Sequence, residues 1–514
     1  MAPNFIECAR EQAFLMPPSL RDWVSEDHLV WTILEAVEEM DVSGFYADYR
    51  ADGHGRPAYD PKMMVALLLY AYAKGNRSSR GIERACAEDV AYRVICANHV
   101  PDHSTIAEFR RRHETALAEL FTSVLSLCEK AGLVRVGVIA IDGTKVAANA
   151  SLDANRSYDW IVREILREAE ETDRAEDERY GEARGDELPE RLRTPEGRRA
   201  ALREAKRELE AERAREATDA APEAPADEPL LMRGRAIGQG RRGWLREGRR
   251  LLDERRAREA RPIARSREAR LAESKRRLEE ELQAERSANE AYESYRSRGV
   301  MRDGRRFGGE PRPSKPYEPP AVPTGKINTT DHDSRIVRTA GQPAKQGYNA
   351  QAAVSEDQII VAAEITVESP DFGHLEPMVE AAATELERAG VADPPRTVVA
   401  DPGYWHTKQM ERVVDRGIQV LIPPDSGVRK GNRPGWDKGP YAFMRRVLET
   451  EHGQATYRKR MATVEPVIGQ LKFNRGYTRF QRRGRSAVRS EWRLGAATHN
   501  LLKLHSHRLG IARA

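Results

Sequence analysis

Between Ile161 and Val300 the chain carries 68 charged residues in 140 positions, 34 basic and 34 acidic. A stretch of that kind cannot run through an apolar core, because burying charge without a partner is far too costly. The core must therefore come from the sequence on either side, and 514 residues leave ample length for it. At roughly 100–200 residues per domain, two to four domains are expected. The charged stretch is itself divided. Residues 161–230 hold 14 basic and 22 acidic residues, and 231–300 hold 20 and 12. Arg203–Glu216 and Arg246–Glu285 have helical composition with opposite charges three or four apart. Two long helices pairing as an antiparallel hairpin are one expectation. Partial disorder competes with it, since apolar positions are sparse. Ala221–Pro229 and Gly308–Pro323 read as linkers.

The whole chain has a formal charge of only +4, with 85 Lys and Arg against 81 Asp and Glu. A uniformly basic, histone-like sheath is excluded. Basic excess is local instead: from Tyr457 onward the only acids are Glu465 and Glu491. No apolar run approaches the ~20 residues that span a bilayer. The first residues lack the basic-then-apolar pattern of a secretory signal. Cys8, Cys86, Cys96 and Cys128 form no CxxC pair and read as reduced thiols. A cytoplasmic protein with no membrane partner is expected.

Residues up to about 130 read as helical. Asp60-Pro61 before an apolar run ending at Gly75 marks one largely buried helix, with a cap, a first-turn proline and a left-handed stop. Thr105-Ile-Ala-Glu108 reads as a capping box. The helix after it carries Arg110, Arg111, Arg112 and His113, either a DNA-facing helix-turn-helix element or a solvated face. Val136–Ile141 then reads as a buried strand ending at Asp142. After the charged stretch, Tyr348–Val354 and Ile359–Val367 read as a hairpin, His374–Gly390 as a helix and Arg396–Asp401 as a buried strand ending at an aspartate. His406–Gly417 reads as a helix, Ile418–Ile422 as a strand and Tyr457–Phe473 as mostly helix. The order predicts a mixed α/β sheet with one large excursion after its first strand.

Two strand-end aspartates, Asp142 and Asp401, are the chemical signal. Carboxylates converging beside each other need a cation to offset repulsion, and hard oxygen ligands favour Mg²⁺ or Mn²⁺. A third acid alongside would complete a site for two ions, suited to in-line displacement at phosphodiesters. Glu465, in a helix otherwise rich in cations, is that candidate. Lys472 lies seven residues on, two turns away on the same face, with Arg458 also on that face. Pro466 should kink or restart the helix. Asp331 and Asp333 read as turn residues, Trp405 as core or as a base-stacking side chain, and Lys145 and Lys345 as phosphate contacts. Arg475, Arg479, Arg482, Arg483, Arg485 and Arg489, interleaved with Phe473, Tyr477 and Phe480, suit a phosphate backbone with stacking.

These stretches together resemble the DDE transposases of bacterial insertion sequences, in the cut-and-paste group with a Tyr-Arg-Glu-Lys signature. The resemblance rests on Ala140-Ile-Asp-Gly-Thr-Lys145, Asn328-Thr-Thr-Asp-His-Asp-Ser334, Gln346-Gly-Tyr-Asn-Ala-Gln351, Ala400-Asp-Pro-Gly-Tyr404 and the Glu465 helix. Tyr59-Asp-Pro-Lys62, Ser78-Ser-Arg80 and Pro101-Asp-His-Ser-Thr105 resemble that family's N-terminal part. The resemblance implies an RNase H-like catalytic domain with first and fourth strands adjacent. It implies that Asp142, Asp401 and Glu465 are catalytic and bind two Mg²⁺ (or Mn²⁺) ions, and that Tyr457, Arg460 and Lys472 contact DNA phosphates. One spacing departs: four residues separate Arg460 from Glu465 where the signature has three. That places Arg460 about 140° around an ideal helix from Glu465, with Arg458 as its substitute.

The expected organisation is a helical DNA-binding region over 1–130, a catalytic domain over 131–150 and 326–480, a charged helical insertion over 151–325 and a basic tail over 481–514. The expected function is binding of terminal inverted repeats in double-stranded DNA, then metal-dependent strand cleavage and transfer into target DNA, by a homodimer in the end complex. An RNase H-like nuclease without strand transfer, and a non-catalytic transposase-derived DNA-binding protein, are the alternatives.

Overall fold

The computed structural model describes residues 19–47, 49, 58–180, 240–259, 262–297, 317–339, 341–425 and 438–513. Helices α1 (Leu29–Glu39), α2 (Pro61–Ala73), α3 (Ser79–Glu88), α4 (Val90–Ile95), α5 (His103–Arg112) and α6 (Glu114–Lys130) come first. Strand β1 (Val138–Ala147), strand β2 (Asn155–Ser157), α7 (Tyr158–Tyr180), α8 (Arg241–Arg258) and α9 (Arg267–Ser297) follow. Then come β3 (Lys326–Asn328), β4 (Arg335–Val337), β5 (Lys345–Ser355), β6 (Ile360–Thr366), α10 (Leu375–Ala389), β7 (Thr397–Ala400), α11 (Thr407–Asp415) and β8 (Gln419–Leu421). Last are α12 (Gly439–Glu449), α13 (Glu451–Gly469), a π turn over Gln470–Asn474 and α14 (Arg485–Arg513). The chain is thus a mixed α/β protein, as its pattern predicts.

Two compact units divide it. One comprises residues 1–154, 260–263 and 330–514, and the other 155–259 and 264–329. In the first, a sheet runs β4-β5-β1-β7-β8, with β6 also paired to β5. β1 is antiparallel to β5 and parallel to β7, and β7 is parallel to β8. β5 is buried from Gln346 to Ser355, as a central strand covered on both faces must be. The β5–β6 hairpin turns at Gln358, whose φ is +62°. One expectation needs correcting. β1 does not stop at Asp142 but continues through Ala147, because antiparallel pairing with β5 persists to Ala147↔Gly347 while β7 leaves after Ala400. Backbone pairing, not apolarity, carries Gly143-Thr144-Lys145.

The N-terminal helices are part of this same unit, with one continuous core. α2 starts as its sequence dictates: Asp60 accepts the Lys62 amide, Pro61 is the first residue, and Gly75 follows at φ +75°. α5 starts two residues before the Thr105 box. Asp102 caps it by accepting the Ser104 and Thr105 amides, an ionised acceptor that outcompetes a hydroxyl. Its arginines divide their work: Arg110 is buried and donates to the Arg77 carbonyl and the Tyr72 hydroxyl, while Arg111 pairs with Glu108. The expected basic tail is likewise corrected. α14 packs against α6, α2 and β6, and every residue from Glu491 to Asn500 is buried. Its apolar stripe of Val488, Trp492, Leu494, Ala496, Ala497, Leu501 and Leu504 belongs to the main core.

The second unit holds α7, α8 and α9 around a small core of Ile161, Leu271, Leu278 and Ile327. Ion pairs supply much of the contact: Arg256 to Glu280 and Glu281 between α8 and α9, and Arg267 to Glu164 and Glu168 between α9 and α7. Arg267, at the start of α9, is the cation that meets the acids of α7, and the stretch 246–285 forms two helices, α8 and α9. The expected helix over 203–216, the linker over 221–229, the first nine residues of the linker at Gly308–Pro323, and Cys8 lie outside the described residues.

Candidate active site

β1 and β7 run parallel with Ile141 opposite Ala400 as their last pair. The next residues, Asp142 and Asp401, therefore stand side by side where the two strands separate. Asp401 leaves the strand to cap a short 3₁₀ turn, Pro402–Tyr404, accepting the Gly403 amide at 2.9 Å. Asp142 accepts the Gly143 amide at 2.8 Å. Burial pushes the Asp142 carboxyl up to about 6; Arg460 opposes the shift and Asp401 adds to it. Burial also raises the Asp401 carboxyl, again opposed by Arg460. Two desolvated neighbouring carboxylates form a site that favours a cation.

Helix α13 brings the third acid. Arg460 Nη2 donates to Asp142 Oδ2 at 2.9 Å, and Nη1 donates to Glu465 Oε1 at 3.0 Å. The extra residue in the Arg–Glu spacing does not turn Arg460 away from Glu465, because a long guanidinium spans the offset. Tyr457, half-buried one turn earlier, has its phenol raised by burial with Asp401, Asp142 and Glu465 nearby. Pro466 does not restart α13, which runs unbroken to Gly469. A proline at 466 leaves the Ala462 carbonyl without its helical donor. The Gln358 side chain supplies the missing bond, donating to that carbonyl at 2.8 Å. Lys503 and His499 in turn hold Gln358 by its own two oxygens.

Three lysines converge beside the acids. Burial lowers the Lys472 ammonium, and repulsion from Lys345 and Lys145 lowers it further. Lys472 lies in the π turn after α13, and π turns are frequent at functional sites. Neither Lys345 nor Lys472 has an ion-pair partner among the described residues. Lys145 has one that the sequence gave no reason to expect. Asp371 accepts from Lys145 Nζ at 2.9 and 3.0 Å, and from the Asn349 and Gln351 amides at 2.8 Å each. Burial alone would raise the Asp371 carboxyl, but Lys145 and the two amides hold it below its ordinary value. A Cβ on Gly143 would collide with the Gln351 amide and the Asp371 carboxylate, so a larger residue would have to displace both. Asp371 follows β6 in an unremarkable Ser-Pro-Asp turn, so only the fold reveals it.

The other sequence candidates scatter. Arg458, Arg479 and Arg483 are exposed. Arg475 is 5% exposed, and its guanidinium lies 3.5 Å from His499. Arg482 is bound to Glu114 at 2.6 Å, and Arg485 and Arg489 lie at the start of α14. Tyr477 and Phe480 are fully buried core, which leaves only Phe473 free to stack. Asp331 and Asp333 are structural: the Tyr348 hydroxyl donates to Asp331, and Asp333 accepts the Arg485 amide at the start of α14. Trp405 is buried and stacks on Tyr441 at 4.9 Å, lining a cavity of about 650 Å³ next to Asp401.

The donor set fits hard divalent cations, being carboxylate oxygen only. Among the described residues no three acidic, histidine or cysteine side chains converge closely enough to hold one as they stand. Glu465 is turned to Arg460 instead.

Fold and site together define an α/β protein with acids, flanked by lysines, at the point where two parallel strands part. Two family models match the chain: a transposase domain (DUF772) over residues 18–112 and a transposase DDE domain over residues 436–505. These two matches support a DDE transposase of an insertion sequence. The second match contains Glu465, Arg460 and Lys472, while Asp142 and Asp401 lie outside both. No curated protein and no solved structure matches the chain. No helix among the described residues is long and apolar enough to cross a membrane.

Proposed function

We propose that this transposase binds the terminal inverted repeats of its element as a homodimer and moves it by cut-and-paste, cleaving and rejoining DNA strands with Asp142, Asp401 and Glu465. The observation that carries the reading is the side-by-side placement of Asp142 and Asp401 on β1 and β7, with α13 bringing Glu465 through Arg460. The strand order β6-β5-β1-β7-β8, antiparallel then parallel, supports an RNase H-like reading of the sheet. Two Mg²⁺ ions held by the three acids would supply Lewis-acid chemistry for phosphodiester displacement. Lys345 and Lys472 meet the phosphates on either side of the reacting bond. Lys145, paired with the ionised Asp371, is held in a position that does not depend on DNA. Arg458, Arg479 and Arg483 extend the contact along the backbone. The charged second unit serves contacts within the paired-end assembly.

Asp401→Ala should abolish Mg²⁺-dependent cleavage of end-containing DNA and leave DNA binding intact. Retained cleavage would sink the triad. A strand-transfer assay with pre-cut ends distinguishes a transposase from a nuclease that cuts without joining.

A further inference from the structure

Arg460 sits in an unusual place for a side chain expected on DNA. Its guanidinium bridges an acid of the sheet, Asp142, and the acid of the helix, Glu465, at 2.9 and 3.0 Å. Arg460 is 12% exposed at its side chain, against 17% for Asp142 and 46% for Glu465. Its Nε is buried with no hydrogen-bond partner. One positive charge therefore occupies the gap between two carboxylates, and the Arg460 fork is only partly used.

We propose that Arg460 is a resident counter-cation that divalent metal must displace from Asp142 and Glu465, and that a DNA phosphate receives it when it leaves. The inference rests on the three acids being the metal site. Holding a guanidinium and a divalent ion on the same two carboxylates is unfavourable, since the ion would lie beside a like charge. Displacing Arg460 without a new partner leaves a half-buried cation unpaired, which is unfavourable. A phosphate oxygen pair matches the planar fork bidentately and satisfies it. Metal and DNA then each assist the other's binding, and the coupling must be reciprocal. The protein thus keeps Asp142 and Glu465 engaged by a cation until DNA is present.

The test uses the full chain and Mn²⁺ as the probe, with free Mn²⁺ followed by electron paramagnetic resonance, with and without a linear DNA duplex. Wild-type protein should bind Mn²⁺ weakly alone and roughly fivefold or more tightly with the duplex, the scale of ordinary linkage. Arg460→Gln should bind Mn²⁺ more tightly than wild type without DNA and show little further gain with it. Arg460→Lys, which keeps the charge, should stay near wild type without DNA. Damage to the fold would remove Mn²⁺ binding that depends on Asp401, so a gain that Asp401→Asn abolishes is diagnostic. If wild type binds Mn²⁺ in a manner lost in Asp401→Asn, but Arg460→Gln binds equally or more weakly, the counter-cation role is overturned and the metal site stands. If wild type binds no Mn²⁺ that depends on Asp401, the metal-site reading itself fails.

Discussion

Asp142 has a carboxyl raised by burial from 3.8 to about 6. The folded chain therefore binds this proton more tightly than the unfolded chain. Its contribution to stability is present below about pH 4 and is lost as pH rises through 6, by at most about 3 kcal/mol. Asp142→Asn should raise Tm at pH 8, and the gain should shrink toward pH 4; a gain independent of pH in thermal melts would contradict this. Lys345 and Lys472 give a second prediction. If each meets a phosphate, changing either to Ala should flatten the salt dependence of DNA binding by about one unit of slope. Arg475→Ala should leave that slope unchanged, because the side chain is buried. Residue types near the site were legible in sequence, since acids and lysines follow apolar strands there. Asp371 was not, because an aspartate in a turn carries no periodicity that marks its partner.

At the scale of elements, α13 breaks a local rule and is repaired from elsewhere. The proline at 466 costs a helical hydrogen bond, and Gln358 at the tip of the β5–β6 hairpin replaces it. Gln358→Ala should destabilise the protein by about 0.5–1.5 kcal/mol. In a Pro466→Ala background, where Ala462 regains its helical donor, the penalty should shrink. Denaturant melts of the four proteins form the cycle, and equal penalties in both backgrounds would refute the repair. The sequence marks Pro466 as a break because a helix read alone has no hairpin to borrow from. Strands β1, β5, β6, β7 and β8 were readable from apolar runs, whereas the three-residue strands β2, β3 and β4 were not. The extension of β1 beyond Asp142 was not, since polar residues in a strand are recognisable only once their pairing partner is known.

At the scale of the molecule, the N-terminal helices and α14 form one core, tied by buried charge. Arg77 donates to Glu491 at 2.6 Å and to the Gly476 and Arg479 carbonyls, and stacks on Tyr477. Arg77→Ala should cost about 3–5 kcal/mol, because it leaves Glu491 buried without its partner. Removing residues 485–514 should abolish cooperative unfolding rather than merely weaken DNA binding; a sharp melting transition in the truncated chain would contradict this. Residues 1–130 alone should fail for the same reason. The sequence by itself determined a mixed α/β chain with a charged segment kept out of the main core, because apolar periodicity and charge density are local properties. Only the tertiary structure decided that Asp142 and Asp401 are neighbours, that Asp371 and Arg460 claim the cations and acids of the site, and that a stretch rich in arginine is core. Those outcomes depend on strand register and on which face of α14 is covered, and both are fixed by segments hundreds of residues away.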